Sequence, residues 1–154
     1  MVRPLLETEL TKAGKSFANF EVTGGGFIAT GPDQATVDAA ADKLRYRVAF
    51  YGSTPAYRGV FDIHGVTELG VKLNQATRRG AWSEMAAMES DEVLDLFAVR
   101  ATYDKLPDAV GKRFGGLADT VGIEFQPGDD AKTKRWVIDG LREIPSEFQA
   151  FKTA

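Results

Sequence analysis

Four polar and aromatic side chains lie close together in one short stretch of the sequence: Tyr51, Ser53, Tyr57 and Arg58. Hydroxyl groups and a guanidinium can hold an anionic or hydroxylated small molecule, so these residues predict a substrate-binding pocket. A structural role suits them as well, because a serine two residues before Pro55 is a typical helix N-cap and tyrosines pack readily against neighbours. The sequence leaves both interpretations open.

His64 is the one histidine of the chain. Imidazole exchanges protons near neutral pH, which makes His64 a candidate catalytic group, although a residue that ends a helix is an equally natural interpretation. The chain has no cysteine. We therefore expect no metal site, no disulfide and no thiolate nucleophile.

The glycine run Gly24-Gly25-Gly26 can be interpreted in two ways. Backbone amides without a neighbouring Cβ can approach a phosphate closely. However, no lysine stands at the Walker position, and the next helix begins several residues later. A bulge within a β-strand is the better interpretation.

The net charge and the distribution of basic residues indicate which classes of binding partner to exclude. A formal net charge of −3 and no basic cluster argue against a nucleic-acid partner. No apolar run reaches the length of a signal peptide or of the roughly 18 residues of a membrane span, so we expect a soluble, cytoplasmic protein. The acidic pairs Glu89/Asp91 and Asp129/Asp130 are expected to be solvated helix starts.

Three β-prone segments alternate with helical ones: residues 20–30, 96–99 and 120–125. The helices are predicted from apolar spacing and capping residues over residues 2–13, from Pro32-Asp33 to about Phe50, and from Thr102 to Gly115, with a last helix ending before Pro145. Val37, Ala41, Leu44 and Val48 form a stripe for burial in the second of these helices. Residues 53–95 show helical spacing without a strand and predict a helical insertion.

Strands separated by helices favour parallel pairing through right-handed crossovers. We therefore predict an α/β fold of about three parallel strands with covering helices and a helical insertion, built as a single domain over residues 1–154. An eight-stranded β/α barrel needs about 250 residues, so this chain can supply only part of one.

The sequence resembles the luciferase-like monooxygenase superfamily. The likeness rests on residues 49–58, 96–99 and 115–121, and it includes Val2-Arg3-Pro4 and the segment 20–25. The subgroup it most resembles uses the deazaflavin coenzyme F-420. The segments follow the order of the C-terminal half of that family's barrel, so the resemblance implies a partial β/α barrel that begins in a helix after the fifth strand.

In that family the coenzyme lies across the C-terminal mouth of the barrel, where hydride passes between its ring and an organic substrate. The resemblance implies coenzyme F-420, with FMN as the alternative, but the segments that hold the ring and most of the phosphate would be absent here. No cofactor in this chain is therefore a further alternative. Where the family has a Val-Gly-Thr turn, this chain has Arg100-Ala101-Thr102.

Residues at strand C-termini face the mouth of a β/α barrel, so the resemblance nominates four cofactor-binding residues: Thr30, Arg100, Thr102 and Gln126. Arg100 would place a positive charge there. As alternatives, Thr30 and Thr102 could cap helices, and Arg100 could lie in solvent.

Two functions follow from these expectations. The first is an oxidoreductase that transfers hydride to or from a small organic substrate, after assembly with an N-terminal barrel half. The second is a noncatalytic, truncated barrel that forms a homo-oligomer through its open sheet edges.

Overall fold

A computed structural model of the chain describes residues 2–24 and 26–149. The α-helices among them are α1 (Val2–Lys12), α2 (Gln34–Gly52), α3 (Arg58–Ile63), α4 (Thr67–Arg78), α5 (Asp91–Phe97), α6 (Leu106–Phe114) and α7 (Ala131–Arg142). The strands are β1 (Thr23–Gly24), β2 (Phe27–Gly31), β3 (Ala98–Thr102) and β4 (Thr120–Val121). Single turns of 3₁₀-helix cover Phe17–Asn19, Pro55–Tyr57, Trp82–Glu84 and Ala86–Met88.

The chain divides into two compact units, which we call the central unit and the terminal unit. The central unit is residues 27–102, and the terminal unit comprises the described parts of 1–26 and 103–154. The expectation of a single domain stays a prediction.

The central unit is built on two parallel strands and the long helix between them. Strand β2 pairs with β3 from Phe27 opposite Ala98 to Gly31 opposite Thr102. Helix α2 begins where the Asp33 carboxylate accepts a hydrogen bond from the Thr36 backbone N–H at 2.8 Å. The predicted stripe of this helix is confirmed as buried: Val37, Ala41, Leu44 and Val48.

The helical insertion completes the core of the central unit. Leu73 of α4 and Leu94 of α5 are fully buried in one cluster with Ala29 of β2. Met85, which lies between two 3₁₀ turns, is fully buried in the same cluster. The described residues 53–95 contain helices and no strand, as predicted. The insertion therefore buries the outer side of α2 rather than adding to the sheet.

The terminal unit joins both ends of the chain. Thr23 of β1 lies opposite Thr120 of β4 in a short parallel pair. The Asp119 carboxylate ties this pair together, since it accepts hydrogen bonds from the Val22 N–H at 2.8 Å and from the Ser146 hydroxyl at 2.7 Å. Helix α7 starts at its cap Asp130 and packs on α6.

Three strand predictions need correction. The segment 20–30 forms two strands, β1 and β2, which pair with different partners, while Gly25 lies outside the described residues. The strand predicted over 96–99 begins only at Ala98, because α5 continues to Phe97. The strand predicted over 120–125 is limited to Thr120–Val121.

The pairing of these strands is parallel, as predicted, but its order is not that of consecutive barrel strands. Successive barrel units would pair β4 with β3, whereas within residues 2–24 and 26–149 β4 pairs with β1. The described residues form a mixed α/β fold with short parallel strands and no closed barrel.

Two capping predictions were wrong. Ser53 does not start a helix: it follows the end of α2, where its hydroxyl donates to the Phe50 carbonyl at 2.7 Å. Thr102 ends β3, and α6 begins later, after Lys105. Ser90 is the N-cap of α5, where its hydroxyl accepts a hydrogen bond from the Val93 backbone N–H.

Candidate functional site

A hydrogen-bonded cluster forms where the chain leaves β3 and where it turns after β4. Tyr103, directly after Thr102, is 3% exposed, and its hydroxyl donates to the Asp129 carboxylate. The Gln126 backbone N–H donates to the same carboxylate oxygen at 2.8 Å. The Phe125 ring lies 5.8 Å from the Tyr103 ring. We call Tyr103, Phe125, Gln126 and Asp129 the strand-end cluster.

The strand-end cluster fixes the protonation state of its tyrosine. Burial raises the pKa of Tyr103 above 10.0, and the hydrogen bond to Asp129 adds to this rise. The phenol therefore stays neutral and donates at neutral pH. The Lys134 ammonium lies 6.0 Å from the centre of the Phe125 ring, so a positive charge stands beside this aromatic surface.

The sequence nominated Gln126 in this cluster but missed Tyr103 and Asp129. Asp129 was expected to be a solvated helix start, yet only Asp130 caps α7, and Asp129 is half-buried and bonded to Tyr103. The missed signal was position: Tyr103 is the first residue after the nominated Thr102.

The two nominated threonines of the central unit lie on opposite faces of the β2–β3 pair. Thr30 is opposite Ala101, and Thr102 is opposite Gly31. Because side chains alternate along a strand, these two registers face opposite ways. A Cβ on Gly31 would meet Thr36 of α2 at 2.5 Å, so Thr102 belongs to the face covered by α2 and the buried Thr30 to the other. Their role as cofactor-binding residues stays a prediction.

Arg100 is engaged by carboxylates of its own unit. Its Nε and Nη2 donate to the two carboxylate oxygens of Asp95 at 2.6 and 2.8 Å, and its Nη1 donates to Asp91 at 3.2 Å. The hydrogen bonds to Asp95 raise the pKa of Arg100 further above its usual range. An anionic coenzyme would have to compete with two carboxylates for this guanidinium.

Of the four predicted substrate-binding residues, the structure brings two together. The rings of Tyr51 and Tyr57 meet edge to face at 5.2 Å, and both are largely exposed. Ser53 is buried, and its carbonyl accepts a hydrogen bond from the Asn74 side chain at 2.8 Å. Arg58 is the exposed first residue of α3. The role of these four residues in substrate binding stays a prediction.

His64 follows the last residue of α3 and is exposed. Its ring lies edge-on against Phe97 at 5.2 Å. This position matches the helix-end interpretation, and the catalytic role stays a prediction.

Glu89 contradicts the expectation of a solvated helix start. Its side chain is buried, with 4% of the residue exposed, and neither carboxylate oxygen has a hydrogen-bond partner among the described residues. Burial raises the pKa of Glu89 to about 7. Its neighbour Asp91 behaves in the opposite way, since a hydrogen bond from Arg45 lowers the pKa of that exposed carboxyl.

A cleft of about 730 Å³ opens in the terminal unit between α6 and α7, and Arg3, Gly115 and Asp119 from the family-like segments contribute to its lining. Gly111 and Gly140 line it, and Ile144 and Pro145 give it an apolar wall. No group of three or more His, Asp or Glu side chains in the described part of the chain is arranged to hold a metal ion. None of the helices described has the length and apolar character of a bilayer span.

Comparison with known proteins links the chain to a reductase and to proteins without an assigned function. No family model matches the chain. Uncharacterized proteins of Mycobacterium bovis and of two strains of Mycobacterium tuberculosis are each 38% identical over 118 residues, which is 77% of this chain and 35% of each relative. The 5,10-methylenetetrahydromethanopterin reductase of Archaeoglobus fulgidus is 30% identical over 150 residues, which is 91% of this chain.

The chain spans only part of these relatives. It covers 42% of the length of the Archaeoglobus reductase and 35% of the mycobacterial proteins. The similarity to the reductase is therefore distant and concerns less than half of that enzyme.

Proposed function

We propose that this chain is the C-terminal part of a luciferase-like oxidoreductase that transfers hydride between a deazaflavin coenzyme and a small organic substrate. The observation that carries the proposal is the similarity to a reductase along 91% of the chain. The parallel strands and the polar cluster at their C-terminal ends support it, since α/β enzymes place their sites there. The substrate of the Archaeoglobus reductase, a methylene-carrying tetrahydromethanopterin, is the first substrate to test.

The N-termini of α2 and α7 do not fit the anionic part of a deazaflavin coenzyme. Helix α2 after β2 and helix α7 after β4 begin with aspartate caps, Asp33 and Asp130, whose carboxylates occupy the amides that a phosphate would use. Arg100 is held by Asp95. An anion at these positions would meet negative charge, so we derive no chemical step on this chain alone.

The phosphate and the ring of the coenzyme would therefore be bound by different parts of the protein. Residues outside this chain would hold the phosphate, and the strand-end cluster would contribute an aromatic wall with a neutral Tyr103 hydroxyl. The relatives are more than twice as long as the matched region, which leaves room for such residues in the rest of the protein. The functional enzyme would be the assembly of both parts.

Coenzyme titration of the assembly tests the proposal. The purified chain is mixed with the segment of the Archaeoglobus reductase that precedes the region aligned with this chain, and coenzyme F-420 or FMN is titrated while its fluorescence is followed. We expect saturable deazaflavin binding to the mixture, little to the chain alone, and oxidation of reduced coenzyme when methylenetetrahydromethanopterin is added. A stable mixture, or a dimer of the chain, that binds neither coenzyme would reject the proposal in favour of a noncatalytic interaction protein.

A further inference from the structure

The Glu89 carboxyl is buried without a partner in the central unit. The residue links the 3₁₀ turn Ala86–Met88 to Ser90, the N-cap of α5, and both flanking elements pack on α2. With 4% of the residue exposed and no hydrogen bond to either oxygen among the described residues, an ionised carboxylate would be poorly stabilised here.

Arg45 is the cation whose charge acts on the Glu89 carboxyl, and its guanidinium already makes hydrogen bonds to other groups. The Arg45 guanidinium donates from Nη1 to the Glu89 main-chain carbonyl at 3.0 Å, from Nη2 to Asp91, and from Nε to Asp42 at 3.3 Å. Arg45 thus holds the backbone at residue 89 and the first residue of α5, but not the Glu89 side chain.

The other charged groups on the surrounding elements do not offer Glu89 a partner. Arg100 of β3 is bound to Asp95 and Asp91. On α2, Lys43 and Arg47 are exposed, and the Arg47 guanidinium lies over the Phe27 ring. The other charged groups on α2, α5 and the preceding turns are acidic: Asp38, Asp42, Asp91, Glu92, Asp95 and Glu84. Ionisation of Glu89 would add a further negative charge to this group, with Arg45 as its nearest source of compensation.

We propose that Glu89 is a proton-controlled switch for the start of α5. While the carboxyl is neutral, it stays buried and Arg45 holds Asp91. When the carboxyl loses its proton, it turns toward Arg45 or toward water, and Arg45 lets go of Asp91. The first turn of α5 then keeps only the longer contact from Arg100 to Asp91 and opens. This inference goes beyond the proposed oxidoreductase and does not depend on it.

The expected pH range follows from the two protonation equilibria. Burial raises the pKa of Glu89 from 4.5 to about 7 in the closed state, so the closed state is favoured below pH 4.5 and loses this advantage as the pH rises to about 7. The opening constant should therefore increase about tenfold per pH unit between these values and become constant above them.

Amide hydrogen exchange between pH 5 and 8, corrected for the exchange rate of unstructured peptides, tests the switch in the full chain. We expect the opening constant of the α5 amides to rise about fortyfold from pH 5 to 7 in the wild type and to stay constant in Glu89→Gln. Glu84→Gln, which changes an exposed glutamate of the same unit, is the control and should behave as the wild type. An equal rise in Glu89→Gln would overturn the proposal.

A second measurement keeps the test decisive if Glu89→Gln does not fold. Carbon-13 NMR of the glutamate side-chain carboxyls in the wild-type chain should show one resonance that titrates near pH 7 together with the α5 amides. If all glutamate carboxyls titrate near 4.5, Glu89 is ionised in the closed state and the switch does not exist.

Discussion

The hydroxyl of Tyr103 donates a hydrogen bond to the carboxylate of Asp129. This bond connects the residue that follows β3 to the loop that follows β4. The same carboxylate oxygen also accepts the Gln126 backbone N–H, so one aspartate orders the whole turn. This geometry links the nominated Gln126 to a tyrosine that the sequence did not nominate.

Tyr103→Phe should destabilise the chain by about 1 kcal/mol, because it removes the hydroxyl that donates to Asp129 and accepts from the Gln126 N–H, while the aromatic ring stays in place. Urea unfolding followed by circular dichroism measures the change. Tyr46→Phe, at an exposed tyrosine for which no hydrogen bond is described, is the matched control and should change the free energy of unfolding by less than about 0.5 kcal/mol. Equal effects of the two substitutions would contradict a stabilising role for the Tyr103 hydroxyl.

The same tyrosine predicts a dependence on alkaline pH. The pKa of Tyr103 is raised above 10.0 by burial and by Asp129, so the folded chain holds the phenolic proton more tightly than the unfolded chain. Its contribution to stability is complete below pH 10 and is lost as the pH rises through the folded pKa. Ultraviolet titration of tyrosinate should show one tyrosine that ionises later than the others, and this delayed step should be missing in Tyr103→Phe.

Two glycines of the central unit predict opposite effects of the same substitution. A Cβ on Gly52 would clash with the Phe61 ring, whereas a Cβ on Gly59 meets nothing within 4 Å. Gly52→Ala should destabilise by about 1 to 3 kcal/mol through overpacking. Gly59→Ala, inside α3, should stabilise by about 0.5 to 1 kcal/mol through lower chain entropy. Thermal unfolding of both variants measures these changes in stability. A Gly52→Ala variant that is as stable as the wild type would show that the Phe61 ring packs elsewhere.

Asp119 should contribute strongly to the stability of the terminal unit. It accepts hydrogen bonds from the Val22 N–H and the Ser146 hydroxyl, and Asn in its place presents an amide donor to one of these two donors. Asp119→Asn should therefore cost about 1 to 3 kcal/mol in the free energy of unfolding. Glu124→Gln, at an exposed acidic residue of the same unit, is the control and should leave stability within about 0.5 kcal/mol of the wild type.

Helices could be predicted from the sequence because their signals are local. The stripe from Val37 to Val48 and the caps Ser90 and Asp130 lie within a few residues of the contacts they make. Strand pairing depends on partners far along the chain: Thr23 pairs with Thr120, and no local pattern shows this. The segment 20–30 therefore looked like one strand, although its two halves have different partners.

The candidate site was predicted only in part for the same reason. Gln126 could be nominated by its position after a β-prone segment, but its contact with Tyr103 needs the folded chain. Glu89 has the sequence environment of an exposed helix start, and its burial arises from the packing of the flanking elements on α2. The charge of a side chain is known from the sequence, but its burial depends on which elements pack over it.

Arg100 offers a test between its predicted role at a coenzyme and its observed role in ion pairs. Arg100→Gln should lower the free energy of unfolding by less than about 1 kcal/mol, because the pairs with Asp95 and Asp91 are partly exposed, and the loss should shrink further at high salt. In the assembly with the preceding reductase segment, the variant should bind coenzyme F-420 with wild-type affinity, as should the control Arg79→Gln at an exposed arginine of the same unit. A loss of affinity of about tenfold or more in Arg100→Gln alone would show that the guanidinium leaves Asp95 to bind the coenzyme, in line with the bidentate anion contacts that arginine makes.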